Sequence, residues 1–240
     1  MELIEIRKFA DILVYIIRAL SIVLIGINLI RLFEPIAFFD ILLQDPGISL
    51  LNSLFMLTYS YFRSILRHFK IEIGELLFSL ISLSALLTFI PGMIFKFFLK
   101  VPGYDSFAHF SNGALLVYIG ITFLSIFFTR EDILNLNPLF VIIFAFSFAA
   151  MLGVLWEILE YLSDLLFVDS NMQRYADIKT GNPFVGQAAL RDTMKDFILN
   201  TLGGILASIL IYKDVQRGSK FVSDLYIKRI AETDAKLQEV

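Results

Sequence analysis

The chain contains no cysteine. Disulfides, thiolate metal sites and cysteine nucleophiles are therefore excluded, and the compartment is left open. Charge of one sign is also scarce. The formal net charge is −3 and no basic stripe runs along the sequence, so no nucleic-acid partner is expected. No internal repeat or low-complexity tract stands out, which argues mildly against the inverted-repeat plan of many secondary transporters. No cleavable signal peptide is expected either. The first apolar segment is too long for a signal core and lacks a small-residue exit, so it is predicted to stay as an anchor. What the chain does hold is apolar surface: 58% hydrophobic residues, 25 of them Phe, in 240, with mean hydropathy +0.77. A soluble domain carries roughly half. These values predict an all-α, polytopic membrane helix bundle, spread along the chain as one membrane domain.

A spanning helix needs about 20 mainly apolar residues. Six stretches are predicted as spans: 9–33, 48–62, 71–95, 104–128, 138–167 and 190–212. The second is short. Pro91-Gly92 is expected to bend the end of the third. Asn137 is expected to cap the fifth, with Pro138 at its first position. Ile36–Leu43 reads as a short interfacial helix and Val168–Ala189 as a long loop over the membrane surface. Residues 213–240 form a polar tail, predicted from Ser219 onward to be an amphipathic helix. Lys and Arg are denser at the amino end, in the second-to-third connection and in the tail than in the opposite connections. The positive-inside rule then puts both termini in the cytoplasm, in a bacterial inner membrane. Arg18, about two turns inside the first span, is expected to reach toward that surface or to pair with Asp11.

Three sets of polar residues interrupt the spans at intervals of three or four: Asp105, His109 and Asn112; Glu157, Glu160 and Asp164; Asp192, Asp196 and Asn200. At about 100° per residue each set falls within about 60–80° of its helix surface. Charge within a span costs about 2.5–3.5 kcal/mol on insertion scales, so each face should turn away from lipid. The first set opens the fourth span, the second closes the fifth, and the third opens the sixth. Alternation of the spans therefore brings all three to one side of the membrane, the outer side on the orientation above. Such a triplet also suits plain helix-to-helix hydrogen bonding, and Asp192 also suits a helix cap. Shared depth favours one polar pocket.

Six acids and a His cannot all stay ionised in a dry pocket without a cation. One remedy is a divalent metal ion on Asp105, His109, Glu157, Glu160 and Asp196. The other is a protonated carboxyl acting as an acid beside an ionised partner. Glu157, Glu160 and Asp192 are the candidates for proton exchange. Asn112, Asp164 and Asn200 would orient the ligands from behind. Arg191 and Lys195 would hold an anion such as phosphate. Trp156 reads as an interfacial anchor, and Gly203-Gly204 as a place where a neighbouring helix comes close.

The same residues carry a resemblance. Asp105-x-x-x-His109-x-x-x-Gly113, Gly153-x-x-Trp156-Glu157-x-x-Glu160, and Gln187 followed by Asp192-Thr193-x-x-Asp196-x-x-x-Asn200-x-x-Gly203 resemble the YjdF-type family of bacterial inner-membrane proteins, a domain of unknown function. More distantly the pattern is similar to VanZ-like proteins. The resemblance covers about Pro102 to Leu210. It implies a multi-spanning inner-membrane protein whose shared residues are those picked out by their physical cost, and it implies no cofactor or substrate.

The residues thus fit a metal-assisted enzyme acting on a membrane lipid or lipid-linked phosphate, with activated water as the attacker. They also fit an ion- or proton-coupled transporter or lipid-handling protein. A third reading is a non-catalytic sensor or assembly factor that works through its tail.

Overall fold

The computed structural model describes residues 3–166, 171–177, 180–216 and 227–229. Ten α-helices occur among them: α1 (Leu3–Arg31), α2 (Ala37–Leu42), α3 (Pro46–Tyr59), α4 (Phe62–His68), α5 (Glu75–Leu87), α6 (Phe97–Lys100), α7 (Tyr104–Leu124), α8 (Arg130–Asn135), α9 (Pro138–Leu166) and α10 (Gln187–Gln216). Strands β1 (Ile71–Ile73) and β2 (Ile227–Arg229) pair antiparallel, with Glu72 opposite Lys228. The all-α membrane bundle expected from hydropathy is the observed class.

Five helices among the described residues are long and apolar enough to cross a membrane: α1, α5 with its continuation, α7, α9 and α10. The second of the six predicted spans is the exception. It folds as α3, whose 14 residues reach about 21 Å against a hydrocarbon thickness of about 30 Å. The alternation of α7, α9 and α10 does not depend on that count. The bend expected at Pro91-Gly92 is a π-helical turn, Thr88–Ile94, that continues α5. It accommodates the amide that Pro91 lacks. The short helix expected at Ile36–Leu43 is α2. Of the predicted tail helix, Ile227–Arg229 are strand instead, because their backbone pairs with β1. The rest of that helix lies outside the described residues.

The chain forms two compact units. The first takes in the chain through Asp105, the stretch Thr122–Ile133 and β2. Here α1 buries Ile6, Ala10, Leu13, Ile17, Ser21, Leu24, Asn28 and Arg31, a run of threes and fours that draws one stripe along the helix. The stripe ends in charge. Buried Arg31 donates to Asp40 (2.9 Å), Asn28 Oδ1 (2.6 Å) and the Gln44 carbonyl (3.0 Å), while Asn28 donates to Ser49 (2.9 Å). This network fastens α2 and the start of α3 to α1. Arg18 does not pair with Asp11. It donates to the Ser60 hydroxyl (3.2 Å) and carbonyl (3.1 Å) at the end of α3 and lies 4.3 Å over the Tyr61 ring. Asp11 pairs with Arg63 instead, at 3.2 Å.

The second unit is Ser106–Ile121 with Leu134–Ser219. It holds most of α7, all of α9 and α10, and the loop between the last two. Asn137 caps α9 as expected, its side chain accepting from Leu139 N at 2.9 Å.

Candidate metal centre

Three glycines bring the helices of the second unit together. A Cβ at Gly113 would run into the Asn200 carbonyl, one at Gly203 into the Phe110 carbonyl, and one at Gly153 into the Asn200 amide. At Gly113 and Gly203 the obstacle is backbone, so no larger residue fits where α7 crosses α10, while Gly153 of α9 faces the Asn200 side chain. One turn before the Gly113–Asn200 crossing, His109 faces Asp196. Their Nε2 and Oδ2 atoms are 3.7 Å apart.

Asp105 stands one turn ahead of His109 on α7, and its carboxylate completes a group with the other two. Each of the three offers a ligand atom, and these atoms lie within 4.8 Å of one another. His109 is 9% exposed and Asp196 only 1%. At 3.7 Å the His109–Asp196 pair is too long for a hydrogen bond. Two ligands each about 2.1 Å from one ion, at a tetrahedral angle, sit about 3.4 Å apart. An imidazole with two carboxylates is a donor set that suits zinc, manganese or iron(II). Asp105, His109 and Asp196 therefore form a group that can bind a metal ion.

The other predicted residues take different places. Glu157 and Glu160 are buried at 5% and 7% exposure but stand outside the 4.8 Å group. Glu160 accepts the Trp156 indole N–H at 2.8 Å, so this Trp is a hydrogen-bond partner rather than only an anchor. Asp164 turns to the loop, accepting from Met172 N (2.7 Å) and Gln173 N (3.0 Å). Gln173 in turn donates to the Glu157 carbonyl (3.4 Å) and the Thr193 hydroxyl (3.2 Å), which levels the acids of α9 with those of α10. Asn200 lies in the helix crossing, and Asn112 one turn inside His109. Arg191 is exposed.

Lys195 Nζ lies 3.9 Å from Asp192 and 3.8 Å from Asp196. Arg174, which sequence reasoning missed as a site residue, brings its guanidinium to 3.5 Å from Asp192. Its position in a polar loop gave no periodic signal. The loop holds it through the Asp164 bonds, through Asn171 gripping both the amide and the carbonyl of Ala176, and through a left-handed backbone at Arg174 itself (φ 46°). Two cations thus flank Asp192 beside the metal-binding group.

A family described as "Predicted membrane protein (DUF2238)" matches residues 12–217. A protein of Thermotoga maritima, described as uncharacterized, is 27% identical over 142 residues, which are 59% of this chain and 65% of the relative. The match therefore spans a little under two thirds of that relative's length. No solved structure matches the chain. The chain belongs to the DUF2238 family of predicted membrane proteins.

Proposed function

We propose that this member of the DUF2238 family holds a divalent metal ion between Asp105, His109 and Asp196 and acts there on a membrane lipid or lipid-linked phosphate. The observation that carries the reading is the convergence of one imidazole and two carboxylates within 4.8 Å, with His109 and Asp196 buried and Asp105 partly so, on helices long and apolar enough to span a membrane. Ionisable groups at such depth are costly and mark functional sites.

A divalent ion bound there supplies a Lewis acid and a water of lowered pKa. The chain's own residues do the rest. Arg174 and Lys195 offer positive charge to a phosphate approaching beside Asp192. Glu157 and Glu160, one turn apart on α9, take and return protons. Asp164 holds the loop that carries Arg174. On the positive-inside argument this site faces outward from a bacterial inner membrane: α3 and α4 together carry the chain back along α1 to its start, where Arg63 meets Asp11 and Arg7 meets Glu75, and that even number of crossings leaves both termini in the cytoplasm.

A carrier built on the same acids needs a polar track to the far side. Deeper in the second unit the buried side chains of α7, α9 and α10 are Val117, Ile121, Val141, Ala145, Ala149, Ala207 and Ile211, and Ser208 is the one polar side chain among them in the described residues. That one-sidedness favours an enzyme or binding site over a transporter.

The test is the metal content of the detergent-solubilised protein, purified without chelator after supply of candidate metals. Near one ion per chain is expected, lost in folded His109→Ala and Asp196→Asn. A folded wild type that takes up none of the metals sinks the proposal.

A further inference from the structure

Between α9 and α10, just below the acids, lies a cleft of about 180 Å³. Phe197 and Phe146 form its two ends, Ala149 and Gly204 its floor, and Ala150 and Val154 its mouth. Ala149 and Gly204 are buried, while Ala150 and Val154 are exposed, so the cleft opens sideways out of the helix pair. The small residues make the space. Phe197 directly follows Asp196, and Gly204 lies eight residues, about 12 Å, further along the same helix. The lining therefore begins next to Asp196 in the chain and extends along α10 to Gly204.

We infer that this cleft seats one hydrocarbon chain of a membrane lipid whose phosphate headgroup lies at Arg174 and Lys195. Two observations commit the occupant. Both helices have the length and apolarity of membrane spans, so what meets an exposed apolar cleft at this depth is lipid hydrocarbon. The lining also reaches Phe197, which follows Asp196, and Asn200, one turn on from it, so a molecule with its head at Asp192 and Asp196 has its tail here. At roughly 30 Å³ for each water-sized group, the volume takes about six methylenes. The Asn200 side chain, on the lining, lies where a Cβ at Gly153 would stand, so the glycine leaves room for its amide. The headgroup half of this inference rests on the function proposed above. The chain-binding half does not.

The experiment uses the full chain in vesicles of phosphatidylethanolamine and phosphatidylglycerol doped with phosphatidic acid carrying a diazirine midway along one acyl chain. After photolysis the labelled positions are mapped by mass spectrometry. Labelling at Phe146, Val154 and Phe197 is expected several-fold above that at Met151, Ile198 and Leu202, which lie at the same depth on exposed faces of the same helices. Ala150→Trp fills the mouth from the exposed side and should bring cleft labelling down to that of the exposed faces while leaving bound metal unchanged. Gly204→Ala, whose methyl would press on the Phe146 ring at 3.2 Å, should lower it partway. Even labelling of both sets in wild type, or strong cleft labelling that survives Ala150→Trp, overturns the inference. His109→Ala separates it from the metal proposal: the ion should be lost and the cleft labelling kept.

Discussion

The two units handle buried charge in opposite ways. In the first, Arg31 is buried and its guanidinium is answered three times, by a carboxylate, a side-chain amide and a backbone carbonyl. Arg18 and Arg63 are similarly placed against acceptors and aromatic rings. In the second unit acids gather instead. Asp192 and Asp196 meet two cations, Lys195 and Arg174, both partly exposed, and the buried Glu160 accepts from a neutral indole. Charge surrounded by fitted acceptors holds a fold together. Like charges brought together need a partner from outside, or a proton, and that is how a site differs from a staple.

This contrast is open to breakage at each end. The largest effect is expected for Arg31→Met. It leaves Asp40, Asn28 and the Gln44 carbonyl without their donor, and a buried acceptor left unsatisfied, as at Asn28, costs about 1–3 kcal/mol. Thermal unfolding in detergent should drop steeply, while metal bound per folded chain stays unchanged. If unfolding is unmoved, the first unit's charges are not its staples. Asp196→Asn should do the reverse. It keeps the shape and removes one of several like charges, so bound metal is lost while the unfolding temperature of the metal-free protein holds or rises. A large fall in that temperature would make Asp196 structural and collapse the distinction between the two units.

Lys195→Met gives a smaller and sharper test. Its ammonium lies 3.8 Å from Asp196 and competes there with any other cation. The side chain is partly exposed, and exposed pairs contribute about 0.2–1 kcal/mol. Metal affinity measured by calorimetry should rise a few-fold at most. A fall would mean that Lys195 supports the metal-binding group rather than competing with it.

How much of this the sequence shows depends on the kind of signal. Long apolar runs and spacings of three or four are properties of one helix, so α1, α7, α9 and α10 and the faces of their polar sets could be read directly. Alternation of spans placed those sets on one side. The closing of α7 and α10 to bring His109 onto Asp196 depends on Gly113 and Gly203 meeting backbone, a fit between helices that neither helix announces alone. Glu157 and Glu160 were legible as interior residues but not as members of a group apart from the other three, because wheel angles fix direction and not distance. Arg174 sits in a loop shaped by Asp164 and Asn171, where no period exists to read. The strand at Ile227–Arg229 pairs with β1 across more than 150 residues, and its local pattern suited a helix equally well.

The smallest expected effect lies at the head of α8, outside the spans and away from both kinds of buried charge. Asp132 accepts from Thr129 N (2.9 Å) and the Thr129 hydroxyl (2.6 Å), and Thr129 Oγ1 accepts from Asp132 N (3.2 Å), a reciprocal capping box. Those bonds hold the Asp132 carboxyl below its ordinary value of 3.8. A depressed native value means the carboxylate form is favoured by folding. Its contribution is therefore complete above about pH 3.8 and is lost as pH falls through the lower native value. Asp132→Asn should slightly lower the unfolding temperature at neutral pH, and the difference from wild type should vanish in acid. If the difference instead grows as pH falls, Asp132 is not held as a carboxylate by this cap. An exposed cap of this kind should leave metal binding and lipid labelling untouched, which makes the variant the reference against which effects in the two units are judged.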